Sequence, residues 1–290
     1  VIYDVRQTTT CSYATPVARA RHVLRLTPVS RDGERVHVAA LQILPEPAQR
    51  REGQDFFGNR LTWIEVDTPH ETLTVKLSAR VAVDPEPVPS ETPAWEKVRE
   101  EAFATSDIGP LSPAHFLFPS RIVSLDPEIR DYVRQSFLPD RPLLEAATDL
   151  IGRMKADMVY EIGATTVTTT PPMSFALRRG VCQDFAHIMI SGLRGLGLPA
   201  AYVSGYLRTA PRTGEPRLQG ADAMHAWVLL WCGSAAGWIG FDPTNAVLAL
   251  EDHVMLAVGR DYTDVAPIDG VILGSGGQRI DVSVNVIPVN

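Results

Sequence analysis

Three residues of this chain have types and spacing suited to covalent chemistry: Cys182, His225 and Asp242. Cys182 stands in the run Arg179-Gly180-Val181-Cys182-Gln183-Asp184-Phe185-Ala186-His187, which reads as a turn, a cysteine and then a helix. Apolar Phe185, Ile188, Met189, Leu193 and Leu196 recur at spacings of three and four, as on one face of a helix. Gly180, which has no Cβ, suits a tight turn before it. Cys182 therefore belongs at the first helical turn. There, unpaired backbone N–H groups and the helix dipole favour an anion such as a thiolate. The plainer alternative is a buried free cysteine acting as a small hydrophobe.

Two later stretches supply what a thiolate needs. Met224–Trp231 reads as a buried strand with His225 near its start, and Gly237–Asn245 as a second strand ending at Asp242 and a turn. The intervals are 43 residues from cysteine to histidine and 17 from histidine to aspartate. The second suits neighbouring antiparallel strands joined by the loop Cys232–Ala236. A thiol, a base and an orienting carboxylate are the parts of an acyl-transfer site. The imidazole takes the thiol proton, and the carboxylate orients the ring and stabilises its charged form.

The segments RRGVCQDFAHIMISGLRGLGLPAAYVSGYL, MHAWVLLW, GWIGFDPTNA and HVMLAVGRDYTDVAPIDGV cover most of residues 155–272. In that order they resemble the bacterial transglutaminase-like proteins of the papain-like superfamily. The resemblance implies an α+β core, with a cysteine-bearing helix packed on an antiparallel sheet, behind an N-terminal β-sandwich. It implies Cys182 as nucleophile, His225 as base and Asp242 as orienting acid. Met224 departs from the small polar residue expected beside the histidine and would narrow or dry the site there.

The elements that must position these residues are legible in outline. Val1–Thr9, Ala18–Pro28, Val36–Leu44, Arg60–Val66 and Thr72–Val83 carry strand text, with the polar run 49–59 between strands read as a connection. Strands at this spacing suggest a sandwich or barrel, and the resemblance implies the sandwich. Asp84–Ser90, with three prolines, is a stiff boundary. Ala94–Phe103, Pro127–Phe137 and Arg141–Met158 read as helices, and Ile280–Val289 alternates as a last strand. The expected organisation is a sandwich over 1–84, a proline-rich linker and helical segment over 85–140, and a catalytic core over 141–290 that includes the last strand.

Other residues carry weaker signals. An oxyanion formed by thiolate attack needs fixed donors, for which the Cys182 backbone N–H, Gln183 and Tyr262 are candidates. Trp227 is a candidate cleft wall, although tryptophans on buried strands usually serve the core. Asp184 suits the helix dipole, and His187 points about 140° away from Cys182 on an α-helix. Arg260, Asp261 and Asp264 read either as an ion network beside the site or as a charged turn. No close pair has the spacing of a zinc motif, so no metal or cofactor is expected.

Composition bounds the rest. A 45% hydrophobic content over 290 residues supports a real core. The net charge of −7 gives no bulk attraction to nucleic acid or anionic membrane. No apolar run reaches the length of a membrane span, and the start containing Asp4 and Arg6 is not signal-peptide text. Three widely separated cysteines, an odd number, fit a reducing compartment, so a cytoplasmic protein is expected. Oligomeric state is not encoded in any recognisable feature. The expected activity is thiol-dependent hydrolysis of a peptide or protein substrate, by a cysteine peptidase or amidase. The alternatives are transamidation to an amine and a non-enzymatic interaction module that keeps the fold.

Overall fold

The computed structural model describes residues 1–289. Its first part is two antiparallel sheets. One contains β1 (Ile2–Val17), β3 (Glu34–Leu44) and β6 (His70–Val83), and the other β2 (Arg19–Leu24), β4 (Gln49–Gln54) and β5 (Arg60–Val66). Alternation sets the inner faces: Tyr3, Val5, Gln7, Thr9, Cys11 and Tyr13 of β1 are buried while their neighbours turn outward. Side chains of both sheets, such as Val5 and Leu77 from one and Leu24 and Ile64 from the other, share one apolar core, which makes this a sandwich. β1 runs eight residues beyond the expected Thr9 end. β4 lies within the stretch read as a connection. It is a charged, exposed edge strand, and such edges lack the apolar alternation that marks a strand.

The second part begins after the proline-rich stretch. Helices α1 (Trp95–Ala104), α2 (Pro127–Arg134), α3 (Leu143–Asp157), α4 (Pro171–Leu177) and α5 (Cys182–Gly195) precede a five-stranded sheet. A two-residue pair, β7 (Val159–Tyr160) and β8 (Arg179–Gly180), flanks α4. The sheet holds β9 (Ala200–Leu207), β10 (Met224–Trp231), β11 (Trp238–Asp242), β12 (Val247–Leu248) and β13 (His253–Gly259) in the order β12-β11-β10-β9-β13. Helix α5 lies against it. Phe185, Ile188, Met189, Ile190 and Leu193 are all at most 3% exposed. Each such side chain contributes about 1.5–3 kcal/mol by burial, before the entropic cost of ordering it. Helix α2 packs so closely on α5 that a Cβ at Gly192 would lie 2.2 Å from a Val133 methyl carbon.

Two boundaries differ from the sequence expectation. The helices of 85–140 belong to the core, since Val98, Ile129 and Val133 share one apolar cluster with Phe185 and Ile188. The chain also returns to the sandwich after the short helix α6 (Tyr262–Val265). β14 (Ile268–Leu273) pairs with β2, and β15 (Gln278–Val289) pairs with β1. The expected last strand forms, but it completes the first sheet rather than the core. The two parts meet along β9 and β13. Tyr206, Val254 and Leu256 enter the sandwich core, and Asn59 exchanges hydrogen bonds with both backbone groups of Val258. No helix among the described residues is long and apolar enough to cross a membrane.

Candidate active site

Cys182 is the first residue of α5 and is 8% exposed. Asp184, in the same helical turn, fixes this start. Its carboxylate accepts the Val181 N–H at 2.8 Å and the Thr165 hydroxyl at 2.6 Å. Burial raises the pKa of Asp184 in spite of these bonds. One hydroxyl of the threonine-rich stretch is thus engaged with this carboxylate. Gly180 is required for a reason other than a turn. It sits in β8, and a Cβ there would lie 2.5 Å from Oδ2 of Asp184.

His225 and Asp242 come from adjacent antiparallel strands, as the 17-residue interval predicted. Both are fully buried, and His225 Nε2 lies 2.9 Å from Asp242 Oδ2. Asp242 is saturated with donors. Oδ1 accepts the backbone N–H groups of Thr244 and Asn245, and Oδ2 accepts the Asn245 amide at 2.8 Å. A third ring, His253 on β13, places its Nε2 3.1 Å from the same Oδ2. Sequence reasoning missed His253. Its only signal was a histidine opening an apolar strand eleven residues past Asp242.

Electrostatics follow from this packing. Burial alone would lower the pKa of His225, but the Asp242 carboxylate and then Cys182 overturn that effect and push it up to about 10. Burial would raise the pKa of Asp242, and the His225 and His253 rings hold it well below the carboxylate range instead. With Nε2 committed to Asp242, His225 Nδ1 is the nitrogen left for Cys182, and it has no other protein partner. Gly220 crosses close above it. Its φ of +88° and the 2.6 Å that a Cβ would leave to Nδ1 both require glycine.

Cys182 and His225 open on one cavity of about 300 Å³. Gln183, Tyr262 and Met224 line it, as do Tyr202 and Ser204 of β9. The sandwich supplies another wall through Gln7 and Thr9 of β1 and Ile280 and Val282 of β15. That wall was invisible in the sequence, because it depends on the return of the chain end to the first sheet. Trp227 does not line this cavity. It packs behind His225, ring centroids 6.3 Å apart, and belongs to the core. Alternation along β10 gives Trp227 the same face as His225, but its ring packs among Ala201, Val203 and Val258 instead of reaching the cavity. Gln183 donates to the Val167 carbonyl at 3.3 Å, so its amide is partly engaged. Of the three residues read either as an ion network or as a charged turn, Arg260 and Asp264 form an ion pair. Asp261 instead accepts from the backbone of Ile122 and Thr263.

The donor atoms of His225, Asp242 and His253 all lie within 4.8 Å of one another, close enough to hold a metal ion. Their arrangement also satisfies a purely protonic role, since both Nε2 atoms are at hydrogen-bond distance from one carboxylate oxygen. Cys182 is not part of this group.

Helix, sheet and sandwich together define a papain-like α+β protein with a cysteine at a helix start. The pattern of the bacterial transglutaminase-like N-terminal region matches residues 3–82, and that of the transglutaminase-like superfamily matches residues 130–243. An uncharacterized protein of Mycobacterium tuberculosis is 39% identical over 272 residues, covering 91% of this chain and 85% of its own length. One from Mycobacterium leprae is 32% identical over 281 residues, 94% of each chain. The chain belongs to the bacterial transglutaminase-like family. Its fold is also that of a solved candidate cysteine protease from Cytophaga hutchinsonii. That structure matches with a TM-score of 0.76 at 21% identity, covering 100% of this chain and 91% of the other.

Proposed function

We propose that the protein is a thiol-dependent hydrolase of peptide or carboxamide bonds, with Cys182 as nucleophile, His225 as general base and acid, and Asp242 as orienting acid. Support comes above all from one observation. His225 is a buried imidazole with Nε2 fixed by Asp242 and a free Nδ1 at the cavity that Cys182 shares. The imidazolium favours the thiolate beside it. The thiolate sulfur attacks the carbonyl carbon, and the oxyanion that forms is met by the backbone N–H of Cys182 at the start of α5. His225 gives its proton to the leaving nitrogen as the C–N bond breaks, leaving a thioester. Water then attacks the thioester, losing a proton to His225, and the acid and free thiolate are released. An amine in place of water would give transamidation.

Limited alkylation with iodoacetamide followed by peptide mapping tests this. Burial pushes the Cys232 thiol up to about 12 and raises that of Cys11, so both should react slowly. Cys182 is expected to react fastest near neutral pH, and a chelator should change neither this rate nor turnover. If Cys182 reacts no faster than Cys232, and His225→Ala alters nothing, the hydrolase gives way to a binding module. Stoichiometric zinc with chelator-sensitive turnover would replace it with a metallohydrolase.

A further inference from the structure

The last strand, β15, is an edge of the first sheet, where among the described residues it pairs with β1 only. The ladder runs without a bulge from Ile2 opposite Val289 to Tyr13 opposite Gln278, so the direction of each backbone group follows by alternation. The Val284 N–H donates to the Asp222 carbonyl at 3.2 Å. Val286 accepts the Thr209 N–H at 3.1 Å and donates to the Thr209 hydroxyl at 2.9 Å. Residues of this parity therefore turn their N–H and C=O groups away from β1. Ile280 and Val282 share the parity, opposite Cys11 and Thr9. Among the described residues nothing pairs with their outward groups. The loop between β9 and β10 thus covers the edge at Val284 and Val286 and stops short of Ile280 and Val282. The charged Arg279 and Asp281 alternate onto the opposite face, where they pair with each other.

This open stretch of edge borders the cysteine cavity. Ile280 and Val282 line the cavity together with Cys182 and His225, and they are 52% and 40% exposed. The polar groups beside them on β1 are engaged with each other. Gln7 donates through Nε2 to the Thr9 hydroxyl, and the Tyr206 hydroxyl donates to Gln7 Oε1. None of the described lining residues is Asp, Glu, Lys or Arg. Walls of this kind admit uncharged side chains and penalise charged ones. Two outward N–H groups and two outward C=O groups stand on residues about 7 Å apart along the strand. A small amide cannot span them, whereas three residues of an extended peptide do. We propose that β15 recognises substrate by strand addition: an extended peptide segment with uncharged side chains pairs with Ile280 and Val282 and so enters the cavity beside Cys182. This deepens the hydrolase reading and rests on it for the fate of the peptide, while docking needs only the edge. The sandwich thereby selects the substrate as well as walling the site.

Binding is read on full-chain Cys182→Ala, which lacks the sulfur, by equilibrium dialysis with mass spectrometry. The probes are three pools of blocked hexapeptides. The first is randomised over Ala, Val, Leu, Thr and Gln, the second is the same pool N-methylated at every amide, and the third alternates Lys and Glu with those residues. The first should bind at least about tenfold more tightly than the others, because the second lacks N–H donors and the third brings charge against neutral walls. Val282→Pro in the same background removes one outward N–H and no bond of the β1 ladder, a placement that edge strands tolerate. It should weaken the first pool by about threefold to tenfold, the contribution of one backbone hydrogen bond. Val282→Ile, which keeps the N–H, should lose less. Equal binding of the methylated pool overturns strand addition, as does an unchanged affinity in Val282→Pro that circular dichroism shows folded. Equal binding of the charged pool overturns the side-chain assignment. If no pool binds, the proposal falls, while iodoacetamide mapping of the parent protein judges the thiol chemistry separately. A dimer in sedimentation velocity that Val282→Pro dissolves would give the edge to a second copy and overturn the proposal. The comparison of pools stands even where Val282→Pro fails to fold.

Discussion

Two buried histidines, one on the cysteine helix and one on the sheet, have environments that drive them in opposite directions. His225 is fully buried yet binds its proton tightly, because Asp242 lies 2.9 Å away. His187, one turn into α5 and 1% exposed, has no carboxylate in contact. Burial lowers its pKa to about 4, an effect that the more distant Asp261 opposes but does not reverse. Its Nε2 accepts the Tyr262 N–H at 3.2 Å, a bond that needs a neutral ring. Burial by itself makes a histidine a poor base, and a contacting carboxylate is what converts it into a strong one. The helix thus carries one ring as a structural acceptor, while the sheet opposite the cysteine presents the other as a cation.

The most severe way to break the contrast is to delete the reacting pair. Cys182→Ala and His225→Ala should each abolish measurable turnover while leaving the fold intact, as judged by circular dichroism. His225→Ala should also slow alkylation of Cys182 near neutral pH.

Asp242→Asn tests the cause of the difference. With the carboxylate gone, burial should dominate and His225 should come to resemble His187, titrating well below its present value. Turnover should fall by roughly 10²–10⁴-fold, less than for Cys182→Ala. An NMR titration in which the His225 ring stays charged through neutral pH would refute the assignment of its basicity to Asp242.

His253→Leu removes one of two imidazoles from the same oxygen. A loss of about tenfold to a hundredfold in turnover is expected, in line with one hydrogen bond to a charged group. The pH profile should shift with it, whereas a purely structural role would change stability alone.

The smallest effect on activity belongs to His187→Gln, which keeps an acceptor for Tyr262 but cannot titrate. Turnover should be unchanged, and the difference should appear in stability against pH. The folded pKa of His187 is lowered, so its contribution is complete above the unfolded value of about 6.5 and is lost as pH falls toward 4. The folded pKa of His225 is raised, so its contribution is complete below about 6.5 and is lost as pH rises through about 10. Denaturant titrations should show shallower acid destabilisation in His187→Gln and the alkaline limb preserved.

Sequence periodicity and residue type by themselves determined much of this protein. The three- and four-residue apolar spacing of Phe185 to Leu196 sufficed to place Cys182 at a helix start, because that period has one common structural solution. The 17-residue interval set His225 and Asp242 on neighbouring strands, because a short loop leaves antiparallel pairing as the natural outcome. Alternation, however, says only that a strand has two faces, and not what each face meets. Tertiary packing alone decided that Trp227 lies behind His225 rather than beside Cys182, and that a polar edge strand forms at Gln49–Gln54. It also decided that the chain end returns to wall the cysteine cavity from the sandwich. His253 joined the site for the same reason. Its strand, β13, lies two places from β10 across the sheet, and only the assembled sheet brings their two rings to one carboxylate oxygen.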